Sequence, residues 1–163
     1  MPDTLKYTPV PVTVADDEIL LRSIDTRHIK KDKITPYAFT PPLGRTDVSV
    51  MRFRYMSIEN CKKHGKEIAY KAKNTFMGFA ALRCEAAIAA GVDVRDSRAV
   101  FLGHADIIFS YPKPPKAEPN QAPEDTQAMS EFRTILKRLI NASKLFLDPE
   151  PSSEDWRGEE IRL

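Results

Sequence analysis

The segment Ala99-Val100-Phe101-Leu102-Gly103-His104-Ala105-Asp106-Ile107-Ile108-Phe109 decides how the chain is read. As a strand, its side chains alternate between two faces. Phe101, Gly103, Ala105, Ile107 and Phe109 then share an apolar or small face, and Val100, Leu102, His104, Asp106 and Ile108 share the other. Two ionisable groups project in parallel from an apolar background. Burying either one unpaired is costly, so that face must be paired, wet or used. A carboxylate at this spacing can orient an imidazole or raise its pKa, which makes His104 and Asp106 candidate acid–base residues. The competing reading is a satisfied structural pair at a sheet edge, because structural networks also perturb titrating groups.

Working outward, residues 47–55 alternate as a second strand, with Val48, Val50 and Arg52 on one face and Ser49, Met51, Phe53 and Tyr55 on the other. Ser57, followed by Glu59 and Asn60, reads as the N-cap of a helix running to about Ala72. Its apolar positions Ile58, Cys61, Ile68 and Ala69 make a narrow stripe among lysines. Residues 75–82 favour a strand, and the alanine-rich run 84–91 favours a short helix ended by Gly91. Residues 9–14 read as an edge strand or a polyproline-like arm, with Asp16 or Asp17 capping a turn into residues 19–22.

Residues 112–123 form a proline-rich linker. Beyond it Met129, Phe132, Ile135, Leu136, Leu139 and Ile140 recur at helical spacing, predicting a helix over 125–147 stopped by Asp148-Pro149. The expected architecture is α+β: a small, mostly antiparallel sheet with two or three helices, the last docking after the linker. Residues 1–148 are expected to make one globular domain, and 149–163 a polar, acidic tail apart from Trp156 and Ile161.

At 163 residues and 42% hydrophobic content the chain can bury one real core. A net charge of +2 is too small to imply nucleic acid or an anionic membrane by itself. The first residues lack a basic stretch followed by an apolar one, and no apolar run is long enough to span a bilayer. Two cysteines suit free thiols in a reducing compartment, so a cytoplasmic protein is expected. Cys61 and His64 have a spacing that could face one ion, but the second paired motif of a zinc site is missing, so no metal is expected. No phosphate-binding glycine loop or nucleophile elbow is present, and no cofactor is implied.

Arg22, Arg27, His28 and Arg52 are the candidate anion contacts, with Ser49 as a strand hydroxyl that could donate to a substrate. Arginines and a histidine suit phosphate or nucleotide recognition through charge-assisted bonds. Surface arginines in ordinary ion pairs are the plain alternative. The function expected first is a non-enzymatic accessory or interaction protein of a multiprotein system, engaging a protein partner through the 125–147 helix or the proline-rich segments. The alternative is a small enzyme acting on a nucleotide-like or RNA substrate, with His104 as acid/base, Asp106 as its orienter and Ser49 beside them. Nucleic-acid binding through lysines 30, 31, 33, 62, 63, 66, 71 and 73 is the third reading, diluted by Asp32, Glu59 and Glu67.

Leu20-Leu21-Arg22-Ser23-Ile24, Ala38-Phe39, Ser49-Val50 and Gly103-His104-Ala105-Asp106 resemble the corresponding pieces of a group of small bacterial proteins of unknown activity. The resemblance covers about residues 20–108. It implies a bacterial origin and Arg22, Ser49 and His104 as the residues to mutate first; the multiprotein system expected above would then be a bacterial one, such as a defence or conflict system. The order of an arginine and then a strand serine is also similar to ADP-ribosyltransferases, although their catalytic glutamate finds no counterpart here.

Overall fold

The computed structural model describes residues 9–115 and 123–163, with side chains in the last helix from residue 127 onward. In chain order the elements are β1 (Ile19–Asp25), β2 (Ile29–Lys30), β3 (Lys33–Ile34), β4 (Asp47–Arg52), α1 (Ile58–Lys71), β5 (Phe76–Arg83), α2 (Cys84–Ala90), β6 (Asp93–Asp96), β7 (His104–Ile108), α3 (Pro123–Ala142) and β8 (Lys144–Leu147). Six strands pair in the order β6-β7-β4-β1-β5-β8, every pairing antiparallel, and β2 and β3 form a separate hairpin. The fold is α+β, as the sequence predicts.

Both faces of the sheet are covered. Leu20, Ile24, Val48, Val50, Ala80, Leu82, Ala105 and Ile107 pack beneath α2 and α3, which contribute Ala87, Phe132, Leu136 and Leu139. Leu21, Met51, Phe79 and Ala81 face α1 and the C-terminal segment, meeting Cys61, Ala69 and Ile161. A strand buried on two sides loses the alternation of a half-buried one, which is why β5 reads Phe-Met-Gly-Phe-Ala-Ala-Leu almost without a polar residue. Gly65 lets α1 lie close to the sheet, since a Cβ there would sit 2.7 Å from both the Phe76 ring and Ser23 Oγ.

Local chemistry sets the element ends as expected in two places, and the strand alternation in a third. Ser57 accepts a hydrogen bond from the Asn60 amide and caps α1. Gly91, with φ +112°, closes α2 in the left-handed conformation. Val48 and Val50 fall on one face of β4 and Met51 on the other.

Four expectations need correction. The strand read over 99–109 begins only at His104; residues 97–103 form the turn of the β6–β7 hairpin, closed by Ser97 N–H to His104 O and His104 N–H to Phe101 O. Val100 and Leu102 are therefore 64% and 59% exposed, and Phe101 packs with the α1-side cluster rather than beside Ala105. Gly103 at φ +97° makes the reversal, with a missing Cβ that would lie 2.5 Å from Met56 Cγ. The final helix ends at Ala142, where Ser143 Oγ donates to Leu139 O, and Lys144–Leu147 instead adds an edge strand to β5.

Third, the polar, acidic segment 149–163 is anchored to the sheet by its two apolar residues: Ile161 is buried, and Trp156 packs 5.3 Å from Phe79. Fourth, Ile68 faces solvent, and the buried stripe of α1 is Cys61, Lys62, Gly65 and Ala69. Residues 9–14 form no regular strand, and their carbonyls at Pro11 and Thr13 bond to Arg52. In the expected linker, 112–115 have no regular structure and 116–122 lie outside the described residues.

Candidate functional site

The residues singled out from sequence fall in three separate places. His104, Asp106 and Ser49 lie on the α1 face of the sheet, Ser49 directly opposite Asp106 in the β4–β7 register. The imidazole does not contact the carboxylate. Its Nδ1 is 2.5 Å from Ser97 Oγ, and its ring stands edge-on to Phe101 at 5.0 Å, with His64 stacked on the far side of Phe101. Burial pushes His104 below its usual pKa, against a weaker opposing pull from Asp106. None of the described cavities is lined by His104, Asp106 or Ser49. His104 is thus engaged by Ser97 and Phe101 at the hairpin turn.

Arg52 belongs to a closed network. It is fully buried, with Nε and Nη2 donating to the two Glu18 carboxylate oxygens at 2.8 Å. Nη1 donates to Asp96 Oδ2 and Pro11 O, and Nη2 also to Thr13 O. The Tyr55 ring covers the guanidinium at 4.7 Å. Burial disfavours the charge, but the bonds to Glu18 and Asp96 outweigh it and hold the pKa above its usual value. All five donors are used within the chain, so Arg52 is removed from the candidate anion contacts.

Arg22, Arg27 and His28 do come together, on the α3 side of the sheet. The β2–β3 hairpin folds the chain back so that Thr35 N–H donates to His28 O, and this sets the short helical turn Pro36–Phe39 over the end of β1. Arg22 reaches that turn, donating from Nε to Ala38 O at 2.7 Å and from Nη1 to Ser49 O at 3.1 Å. It contacts the Ser49 backbone only, the serine hydroxyl being on the opposite face. Arg27 forks onto Asp25, with Nε and Nη2 at 3.1 and 2.8 Å from its two oxygens. Tyr37 lies against both Arg27 and the His28 ring, at 5.5 and 5.7 Å.

These side chains line a cleft of 440 Å³ together with Thr40, Leu43 and Lys113. Its electrostatics are one-sided: Arg22, Arg27 and Lys113 oppose the single carboxylate of Asp25. Arg22 has no carboxylate within ion-pair distance among the described residues, and burial lowers its pKa to about 10, with Asp25 opposing. The Asp25 amide donates to His28 Nδ1 at 3.0 Å, so the neutral ring carries its proton on Nε2. Burial first, then the Arg22 charge, push His28 down to about 4. Burial raises the Asp25 carboxyl, but the Arg27 hydrogen bonds and the His28 and Arg27 charges bring it below its usual range.

Arg22 Nη2 and His28 Nε2 make no hydrogen bond within the described residues, yet neither is a sealed unsatisfied atom. Both donors therefore open onto the cleft. The cleft thus offers N–H groups and cations, and the neighbouring Asp25 carboxylate is already engaged by Arg27.

Three further groups are now accounted for. Burial pushes the Cys61 thiol up to about 12 and Cys84 to about 11, so both are inert core thiols. Among the described residues no group of three or more His, Cys, Asp or Glu side chains could hold a metal ion. Lys62, which sequence places in a solvated cluster, is fully buried and bonds Asp148 Oδ2 at 2.7 Å, Ser153 Oγ and the carbonyls of Glu150 and Asp155. Nothing local distinguishes it from its neighbours; the signal is Asp148, far along the chain.

The apolar residues of α3, Met129, Phe132, Leu136 and Leu139, are buried in the chain's own core. Among the described residues no helix is long and apolar enough to cross a membrane. Compared with protein-family models, curated proteins and solved structures, the chain gives no match. Fold and site together define an α+β protein with a cleft lined by cationic side chains beside its central strand β1.

Proposed function

We propose that this chain is a non-enzymatic accessory protein that works by binding, and that its recognition element is the Arg22–Arg27–His28 cleft, which takes a phosphate-type anion. The observation that carries this reading is the pair of unused donors, Arg22 Nη2 and His28 Nε2, facing one cleft beside a guanidinium that lacks a carboxylate partner. A catalytic reading has less support. His104 and Asp106 lie on the opposite face of the sheet from Arg22, and Arg52 is saturated. The resemblance to small bacterial proteins supports a bacterial multiprotein system as the setting. The two free, buried cysteines fit a cytoplasmic one.

The test is thermal unfolding in sodium phosphate against sodium chloride at equal ionic strength. Anion binding to the folded state stabilises by RT ln(1 + [L]/Kd), about 1.4 kcal/mol at ten times Kd, or roughly 3–5 °C in a chain of this size. Arg22→Gln is expected to abolish the shift, and Arg27→Gln, whose parent side chain is partly exposed and already paired, to reduce it. No phosphate shift in the parent protein, or a full shift in a folded Arg22→Gln variant, refutes the proposal.

A further inference from the structure

The anion cleft adjoins a second cavity. Tyr37, Thr40, Leu43 and Lys113 line it and also line this neighbouring cavity of 830 Å³. The second cavity differs in chemistry. Its floor is the apolar surface of α3 at Met129, Phe132 and Leu136, and its walls include Pro36, Pro112, Pro114 and Pro115, with Arg133 and Lys113 as the charged members. A volume of this size falls within the range of small-molecule sites, roughly 300–1,000 Å³, which are apolar with a few convergent polar groups.

At the junction stands Tyr37, 51% exposed although large and aromatic, and on the rim Leu43 is 97% exposed. Tyr37 lies near His28 and Arg27 and lines both cavities, so its exposed aromatic surface can serve as a stacking platform. An apolar side chain left in water at the mouth of an apolar cavity is covered when that cavity fills.

Building on the anion reading, we propose that the adjoining cavities form a mononucleotide site: the phosphate sits on Arg22, His28, Arg27 and Lys113, and the base enters the apolar cavity against Tyr37. The donor set favours a phosphate over a carboxylate. Arg22, Arg27 and His28, from β1 and its turn, are joined there by Lys113 from a distant segment, and three cations are better matched by a phosphate of charge about −2 than by a singly charged carboxylate. Tyr37, an aromatic residue suited to stacking on a flat heterocycle, lines both the donor end and the apolar cavity. Stacking of this kind tolerates any base, so the site is expected to rank nucleotides weakly by base identity.

Isothermal titration of the full-length protein with adenosine 5′-monophosphate, uridine 5′-monophosphate, adenosine, hexyl phosphate and inorganic phosphate separates the parts. Both nucleotides are expected to bind at least about tenfold tighter than inorganic phosphate, a difference of about 1.4 kcal/mol. Tyr37→Ala is expected to weaken the nucleotides at least about fivefold more than it weakens inorganic phosphate. Tyr37→Phe keeps the stacking face and is expected to bind like the parent.

Nucleotides binding no tighter than phosphate overturn the base cavity and leave the anion cleft standing. Hexyl phosphate matching the nucleotides overturns the aromatic preference. Adenosine binding as tightly as its monophosphate removes the phosphate from the recognition. Failure of every phosphate compound overturns both this inference and the anion reading.

Discussion

Arg52→Met is expected to lower the unfolding free energy by about 3–5 kcal/mol, the usual consequence of removing one partner from a buried ion pair. The cause is what the substitution leaves behind. Glu18 is sealed from solvent and has its two oxygens on the lost guanidinium, and the carbonyls of Pro11 and Thr13 lose their donor as well. Asp96 suffers less, because Arg98 also donates to it from its backbone N–H and its Nε. Against a typical total of about 5–15 kcal/mol, such a loss is large enough to follow by urea denaturation. The double variant Arg52→Met, Glu18→Met is expected to recover part of it, because the orphaned charge is removed. A single-variant loss below about 1 kcal/mol would mean that the network behaves like a surface ion pair.

Lys62→Met is expected to act on one region first. The ammonium ties Asp148, Ser153 and two carbonyls of the C-terminal segment to α1, and Asp148 is buried with it. Without it the Asp148 carboxylate loses its charge partner and keeps only backbone N–H groups of Glu150 and Arg157. The expected cost is again about 3–5 kcal/mol, expressed mainly as release of residues 149–163. Trp156, the chain's single tryptophan, packs on Phe79 in that segment and reports the release directly. Its emission is expected to shift to the red, and proteolysis within 149–163 to accelerate, before the sheet unfolds. Unchanged emission and cleavage in Lys62→Met would show that apolar contacts alone hold the segment.

These two networks also mark where reading the sequence reaches its limit. Local signals were legible. The alternation of Val48, Val50 and Met51, the Ser57 cap and the Gly91 stop depend on neighbours a few residues away, and each sits where its chemistry requires. Arg22, Arg27 and His28 were legible as a group because one strand and its turn carry all three. Arg52 was assigned to the same group because a strand arginine looks alike whether it faces a ligand or a carboxylate 34 residues away. Lys62 looked like its solvated neighbours for the same reason.

Residues 144–147 continue an apolar helical rhythm, so only the open edge of β5, invisible in the sequence, turns them into a strand. His104 and Asp106 were correctly placed on one face of a strand. What the alternation could not tell was that Ser97, brought round by the hairpin, takes the imidazole.

The central claim is that β1 and its following turn present unused N–H donors to a cleft, and the ring of His28 tests it most directly. A two-dimensional nitrogen–proton correlation of the imidazole, recorded between pH 5 and 8 with and without sodium phosphate, reads both its protonation and its tautomer. Held near 4 by burial and by Arg22, the folded ring binds fewer protons than the unfolded one. Stability is therefore kept above an ordinary histidine pKa of about 6.5 and lost as the pH falls from there toward the folded value. The account predicts a ring neutral throughout that range, protonated on Nε2, with the Nε2 resonance moved by phosphate. A ring that titrates near 6.5, carries its proton on Nδ1 and ignores phosphate would contradict it.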